Sequence, residues 1–326
     1  VFGAVRRNPV GAIVNVPSVV VTRRLPARVL MPLEEIASVE SGPREGWPRD
    51  ELMARARGAD ALICQLTDPV DRALIEAAPS LRVIANVAVG YDNIDMAAAR
   101  ERGIVVTNTP DVLTNAVAEF TWALILSVTR RVAEGDRALR RGSWEGWALD
   151  YMPGMELAGK QLGIIGRGRI GRAVADKAEA FGMRVQFARH DLSFDELLVT
   201  SDVLSIHVPL TEGTRHLINR KALVRMKRSA YLVNTSRGQV VDEDALAWAL
   251  GEGLLAGAAL DVYEKEPAVH PKLLEHENVV LAPHIGSATR ETRTAMAALA
   301  VRNVVEVLSG RTPPEGVGWW GGPPRS

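Results

Sequence analysis

The stretch Leu162-Gly-Ile-Ile-Gly166-Arg-Gly168-Arg-Ile-Gly171 decides the architecture. An apolar run of strand character leads into Gly-x-Gly-x-x-Gly, and Arg172–Phe181 follows with Ala and Val on a helical packing face. A second strand then ends at Arg189, 18 residues after Gly171. Three glycines at this spacing are weak evidence alone, because ordinary tight turns use them too. The strand–turn–helix–strand context makes them a dinucleotide-binding turn. The first glycine permits the sharp turn, the second lets the backbone approach a pyrophosphate, and the third lets helix and strand pack closely. The pyrophosphate is expected on the helix N-terminus, where free N–H groups and the helix dipole favour an anion. Gly166, Arg167, Gly168, Arg169, Ile170 and Gly171 are the expected cofactor contacts.

The second strand ends Phe187-Ala-Arg189-His-Asp191. NAD sites put an acid here for the ribose 2′-hydroxyl, whereas NADP sites put a cation for the 2′-phosphate. Arg189 stands where the acid would be and His190 adds a donor, so NADP is the preferred cofactor and NAD the alternative. Asp191 comes two residues later, a position that can instead face solvent.

Outward from this unit, short β-branched runs alternate with helical stretches, which predicts an α/β chain with parallel sheets. Before the fingerprint, strands are expected at 18–22, 61–65, 81–87 and 104–107, with helices at 49–57, 71–78 and 95–102. After it, strands are expected at 184–187, 203–208, 230–234, 256–262 and 279–281. One long helix from about Asn115 to Arg140 joins the blocks, capped by Thr114 or Asn115 and ended by Gly142. A helix over Arg290–Leu308 has no sheet partner in the second block. Residues 1–17 read as a loose extension, and the Pro/Gly-rich segment from Pro313, with Trp319 and Trp320, as a flexible tail over 316–326.

The chain has 326 residues, which predicts two domains. Lys+Arg and Asp+Glu number 39 each, and zero net charge argues against nucleic acid as a partner. The single cysteine, Cys64, excludes intramolecular disulfides and Cys-based zinc sites and fits a reducing compartment. No apolar run is long enough to span a membrane, so a cytoplasmic protein is expected. Of the six histidines, none shows paired metal-ligand spacing, and no metal is expected.

Three later segments carry candidate chemistry: Val233-Asn-Thr-Ser-Arg237-Gly, Leu260-Asp-Val-Tyr-Glu-Lys-Glu266-Pro267 and Ala282-Pro-His284-Ile-Gly286. Each follows a predicted strand, at the end where open α/β sheets bind ligands. Together with Ala88-Val-Gly-Tyr-Asp-Asn-Ile-Asp95 and Val106-Thr-Asn-Thr-Pro-Asp-Val-Leu-Thr114, they give the chain a resemblance to the D-isomer-specific 2-hydroxyacid dehydrogenases. It is most similar to their glyoxylate/hydroxypyruvate reductase branch, over nearly all of residues 18–315. Several long motifs in the same order are far more specific than any one of them.

The resemblance implies a Rossmann-type dinucleotide-binding domain over 115–285 and a discontinuous flavodoxin-like substrate domain over 18–114 and 286–315, with the active site in the cleft between. It implies Arg237 as the substrate-binding cation, Glu266 as the acid that orients the histidine, and His284 as the acid/base. Backbone N–H groups around Val89 and Gly90 would hold the substrate carboxylate. Asp261 would contact the nicotinamide amide, and Thr235, Ser236 and Gly286 would line the cofactor groove. These roles suit the chemistry. A guanidinium is planar and always charged, so it can clamp the carboxylate and keto oxygen of a 2-oxo acid. Hydride arriving at the keto carbon leaves negative charge on oxygen, which an imidazolium can quench. A carboxylate bonded to that imidazole stabilises its charged form and fixes its tautomer.

The implied reaction is NAD(P)H-dependent reduction of glyoxylate or hydroxypyruvate, in a homodimer. Other readings stay open: a D-lactate- or phosphoglycerate-type dehydrogenase, or a dinucleotide-sensing corepressor that binds a peptide. Formate enzymes of this type pair the histidine with Gln, so Glu266 counts against them. Trp144, Trp147 and Tyr151 read as packing or subunit-interface aromatics. The chain departs from the family after Arg189, where about ten further residues are usual and here the next helix begins almost at once. The adenosine-side wall is therefore expected to be rebuilt or left open. The chain stops soon after Leu308, so the regulatory domain of the longer phosphoglycerate dehydrogenases is not expected.

Overall fold

The computed structural model describes residues 5–7 and 13–317. Its chain divides into two units, Val1–Leu113 with Thr289–Ser326, and Thr114–Ala288.

In the first unit β1 (Val5–Arg7) and β2 (Ile13–Asn15) form an antiparallel pair. The segment read as a loose extension thus carries a short ribbon. A six-stranded sheet follows, built from β3 (Ser18–Val21), β4 (Ser38–Ser41), β5 (Ala61–Cys64), β6 (Val83–Asn86), β7 (Val105–Thr107) and the short strand Gly316–Val317. The five longer strands run parallel in the order β7-β6-β5-β3-β4. Every residue of β5 and β6 is buried, as expected of strands covered on both faces. The helix Arg290–Leu308 packs on β5, β6 and β7, which supplies the sheet partner missing from the second block.

Two elements here lie outside the sequence expectations. The helix Ala27–Glu34 contains Pro32, a residue that ordinarily argues against a helix, and β4 is a polar, exposed edge with no apolar alternation. The expected tail is also corrected at its start. Gly316 and Val317 pair antiparallel with Thr107 and Val106 and close an otherwise open edge. Trp319 and Trp320 lie outside the described residues.

The second unit holds β8 (Gln161–Ile165), β9 (Arg184–Phe187), β10 (Val203–Ile206), β11 (Tyr231–Asn234), β12 (Gly257–Leu260) and β13 (Val279–Leu281). They form one parallel sheet in the order β13-β12-β11-β10-β8-β9. Strand order reverses at β8, so the C-terminal ends of β8 and β10 flank a topological switch point, the usual ligand-binding position of such sheets. Among the described residues no strand lies beyond β9, in keeping with the shortened segment after Arg189.

The long connecting helix is two helices, Thr114–Thr129 and Val132–Arg140, with Arg131 between them at φ 54°. The Thr129 carbonyl accepts the Met155 N–H at 2.8 Å, a bond from outside the helix, and Arg131 is clamped by both carboxylate oxygens of Glu134. Thr114 and Asn115 are the first two residues of the helix. Gly142, at φ 69°, follows the second helix as its composition predicts.

Candidate active site

The glycine turn is shaped by close backbone contacts. Gly166 sits at φ 105°, and a Cβ there would lie 2.3 Å from the His207 carbonyl oxygen. A Cβ on Gly171 would lie 2.0 Å from the Gly166 carbonyl oxygen, so only glycine allows helix and turn to meet. Gly168 differs: a Cβ there would meet nothing within 4 Å, which leaves open space against the backbone. Gly168 also caps the helix Arg169–Ala178 without any side-chain bond, so the first N–H groups remain available to an anion. A turn closed on its inner side and bare on its outer side fits a dinucleotide pyrophosphate. Arg167 and Arg169 are exposed, Ile170 is half-buried, and the Arg167 guanidinium lies 5.3 Å from the Phe187 ring centre.

At the end of β9 the chain turns back within a few residues. The Arg189 N–H donates to Leu192 O at 2.7 Å, and the Asp191 carboxylate accepts the Phe187 N–H at 2.8 Å. Asp191 is exposed, in line with the solvent-facing expectation, and its carboxylate also holds its own backbone. Arg189 and His190 are exposed at the tip, Arg189 at φ 62°. Ser193 then caps the next helix in a reciprocal pair with Glu196.

The candidate catalytic groups gather beyond β11, β12 and β13. Buried Asn234 ends β11 and organises the following turn. Its Oδ1 accepts the Ser236 N–H and Oγ–H at 3.0 and 2.8 Å, and its Nδ2 donates to Arg237 O at 2.9 Å. Thr235 Oγ1 lies 3.0 Å from Thr121 Oγ1 of the helix Thr114–Thr129. Gly238 lets this turn press against the next loop, since a Cβ there would fall 1.9 Å from the Tyr263 carbonyl carbon. Arg237 is half-buried and close enough for its charge to favour ionised Glu266.

His284 Nδ1 lies 2.8 Å from Glu266 Oε2, and Glu266 Oε1 accepts the Tyr263 N–H at 3.1 Å. Burial opposes ionisation of Glu266, but the hydrogen bond and charge of His284, the Tyr263 N–H and the Arg237 charge outweigh it. The carboxyl is held below its ordinary range. His284 sits at φ 52°, a left-handed conformation that a non-glycine residue keeps only when its surroundings hold it. Asp261, 1 % exposed, does that holding. Its backbone oxygen accepts the His284 N–H, and its two carboxylate oxygens accept the Ile285 and Gly286 N–H groups at 2.7 and 2.8 Å. Burial pushes the Asp261 carboxyl up despite those two bonds. With Nδ1 committed to Glu266, Nε2 is the ring nitrogen that can exchange a proton with a ligand.

In the other unit, Val89 and Gly90 form a half-buried loop after β6, and both of their carbonyls accept side-chain amides, from Asn108 and Asn86. Sequence reasoning missed Asn234, Asn86 and Asn108. The available signal was an amide ending or following an apolar strand, where its polar group must find a partner. Among the described residues no cluster of three or more His, Cys, Asp or Glu is arranged to hold a metal, and no helix is long and apolar enough to cross a membrane.

Comparison with known proteins agrees with this geometry. Residues 122–286 match the family model "D-isomer specific 2-hydroxyacid dehydrogenase, NAD binding domain". The chain is 49% identical over 317 residues to a glyoxylate reductase of Thermofilum pendens, covering 91% of this chain and 93% of that one. It is similar to the crystal structure of a glyoxylate reductase from Paecilomyes thermophila, with 34% identity, TM-score 0.85, and 93% and 98% of the two chains covered. It is also similar to an NADPH-dependent glyoxylate/hydroxypyruvate reductase from Sinorhizobium meliloti in complex with NADP and malonate. That pair has 35% identity, TM-score 0.84, and 95% and 99% of the two chains covered.

Proposed function

The chain belongs to the D-isomer specific 2-hydroxyacid dehydrogenases, and on that premise we propose that it reduces glyoxylate-type 2-oxo acids with a nicotinamide dinucleotide, NADP in preference to NAD. The observation that carries the reading is the His284–Glu266 pair, 2.8 Å apart beyond the C-terminal ends of a parallel dinucleotide-fold sheet. The glycine turn would hold the pyrophosphate of the dinucleotide, whose reduced nicotinamide would supply the hydride for the keto carbon. Arg237 binds the carboxylate and keto oxygen of the substrate, and the Val89 and Gly90 N–H groups hold the carboxylate. As negative charge builds on the keto oxygen, His284 Nε2 gives it a proton and Glu266 stabilises the imidazolium beforehand. In oxidation the same nitrogen takes the proton back. Asp261 acts through its grip on the loop 284–286, and Thr235, Ser236 and Gly286 line the cofactor groove.

The NADP preference is supported by Arg189 and His190 at the tip of the β9 turn and by the engagement of Asp191 with Phe187 N. A homodimer is supported by a cluster of exposed apolar side chains: Trp144 at 53%, Trp147 at 83%, Leu149 at 88% and Tyr151 at 42%. The buried thiol of Cys64 suits a reducing compartment, the cytoplasm. The test is the rate of NADPH and NADH oxidation with glyoxylate, hydroxypyruvate, pyruvate and phenylpyruvate. Glyoxylate and hydroxypyruvate with NADPH are expected to be fastest. No oxidation with any of the four would refute the reading.

A further inference from the structure

Three consecutive carbonyls after β6 are each held by a donor of their own unit. Ala88 O accepts the Thr109 N–H at 2.9 Å, Val89 O accepts Asn108 Nδ2 at 2.8 Å, and Gly90 O accepts Asn86 Nδ2 at 2.8 Å. In a trans peptide the carbonyl and the following N–H point in opposite directions. Holding these carbonyls therefore turns the N–H groups of Val89, Gly90 and Tyr91 away from their anchors. Among the described residues none of the three donates to a protein acceptor.

The anchors are themselves locked. Asn86 is 0% exposed and Asn108 8%. The Asn86 amide also donates to Asn93 Oδ1 at 3.0 Å and accepts the Cys64 thiol at 3.4 Å. Burial pushes that thiol up, so it stays protonated and able to donate. Asn93 in turn donates to Gln65 O and Asp68 O. A carboxylate at either anchor could only accept, and it would repel the carbonyl it faces.

We propose that Asn108 and Asn86 are positioning residues for substrate, aiming the Gly90 and Tyr91 N–H groups at the carboxylate of the 2-oxo acid. The proposal rests on the reading that glyoxylate-type acids are the substrates. It extends the carboxylate site to a further donor, Tyr91 N–H, and to the side chains that set its direction. N–H bonds to an anion are stronger than neutral ones, so a misdirected donor weakens binding of the acid selectively.

The test compares glyoxylate with methyl glyoxylate, which keeps the aldehyde and lacks the charged carboxylate. In Asn108→Ala and Asn86→Ala, KM for glyoxylate is expected to rise about tenfold with a smaller change in kcat. The preference for acid over ester shrinks by a similar factor, about tenfold, while NADPH titrates as in the wild type. A merely structural role would lower both substrates alike. Wild-type preference in both folded variants overturns the proposal. A second measurement needs no anchor variant. Wild-type protein labelled at the backbone nitrogen of its four tyrosines is titrated with oxamate, with Tyr91 assigned through Tyr91→Phe. A downfield move of the Tyr91 amide proton supports the cradle; a Tyr91 amide unmoved at saturating oxamate overturns it. Failure of the wild type to reduce any oxo acid sinks the functional reading alone, because the Tyr91 response is read without turnover.

Discussion

His284 Nδ1 and Glu266 Oε2 lie 2.8 Å apart, although 18 residues separate them in the chain. The contact spends one ring nitrogen on a carboxylate and leaves the other for proton exchange. Glu266→Gln keeps the size and removes the charge, so the imidazolium loses its support. Reduction is expected to slow by about a hundredfold, the lower end of what general acid catalysis supplies. Steady-state rates of glyoxylate reduction check this, and a wild-type rate in Glu266→Gln would mean that the pair does not serve catalysis.

Arg189 bears on cofactor choice. If it meets the 2′-phosphate, Arg189→Ala should weaken NADPH binding by about a hundredfold, the scale of a lost charge-assisted contact, and leave NADH little changed. Asp191→Ala should erode the same preference less, by loosening the turn held through the Phe187 N–H. Fluorescence titrations with both dinucleotides measure each effect.

Gly171→Ala would bring a methyl within 2.0 Å of the Gly166 carbonyl oxygen. Backbone cannot yield there without opening the turn against β8. A loss of about 1–3 kcal/mol is expected, with weaker binding of both dinucleotides, since the pyrophosphate turn is common to them. Gly168→Ala has open space and should cost far less. Denaturant melts of the two variants give the comparison.

His207 supplies a pH dependence. Burial pushes its imidazole down from 6.5 to about 4, and its Nε2 lies 2.8 Å from Ser205 Oγ. The folded chain therefore holds it neutral where the unfolded chain takes up a proton. Stability from this residue is complete above pH 6.5, falls as pH drops toward 4, and changes no further below that. The span corresponds to at most about 3 kcal/mol. His207→Gln should flatten that part of the curve in thermal melts taken between these pH values.

Trp147 and Leu149 are the most exposed large apolar residues among those described after Gly142. If they pair two copies, Trp147→Ser with Leu149→Ser should shift the protein from dimer to monomer in analytical ultracentrifugation. A wild-type monomer, or a variant that stays dimeric, would refute the dimer.

The glycine turn was legible in the sequence because strand, turn and helix are contiguous, and Gly171 answers a contact with Gly166 inside the same turn. The trio Arg237, Glu266 and His284 was legible through motif order, since each follows its own strand. The tertiary structure alone decided how these groups are held. The long helix breaks at Arg131 because the Thr129 carbonyl bonds to Met155. Asp191 stays at the surface, yet its carboxylate meets the Phe187 N–H because the strand and the next helix are joined so tightly. Asp261 grips the backbone 24 and 25 residues further on, and Asn108 reaches back 19 residues to Val89. Propensity and periodicity report on neighbours along the chain. The partner of a buried amide or carboxylate is set by which loop the folded sheet brings within about 3 Å of it, and no local pattern encodes that distance.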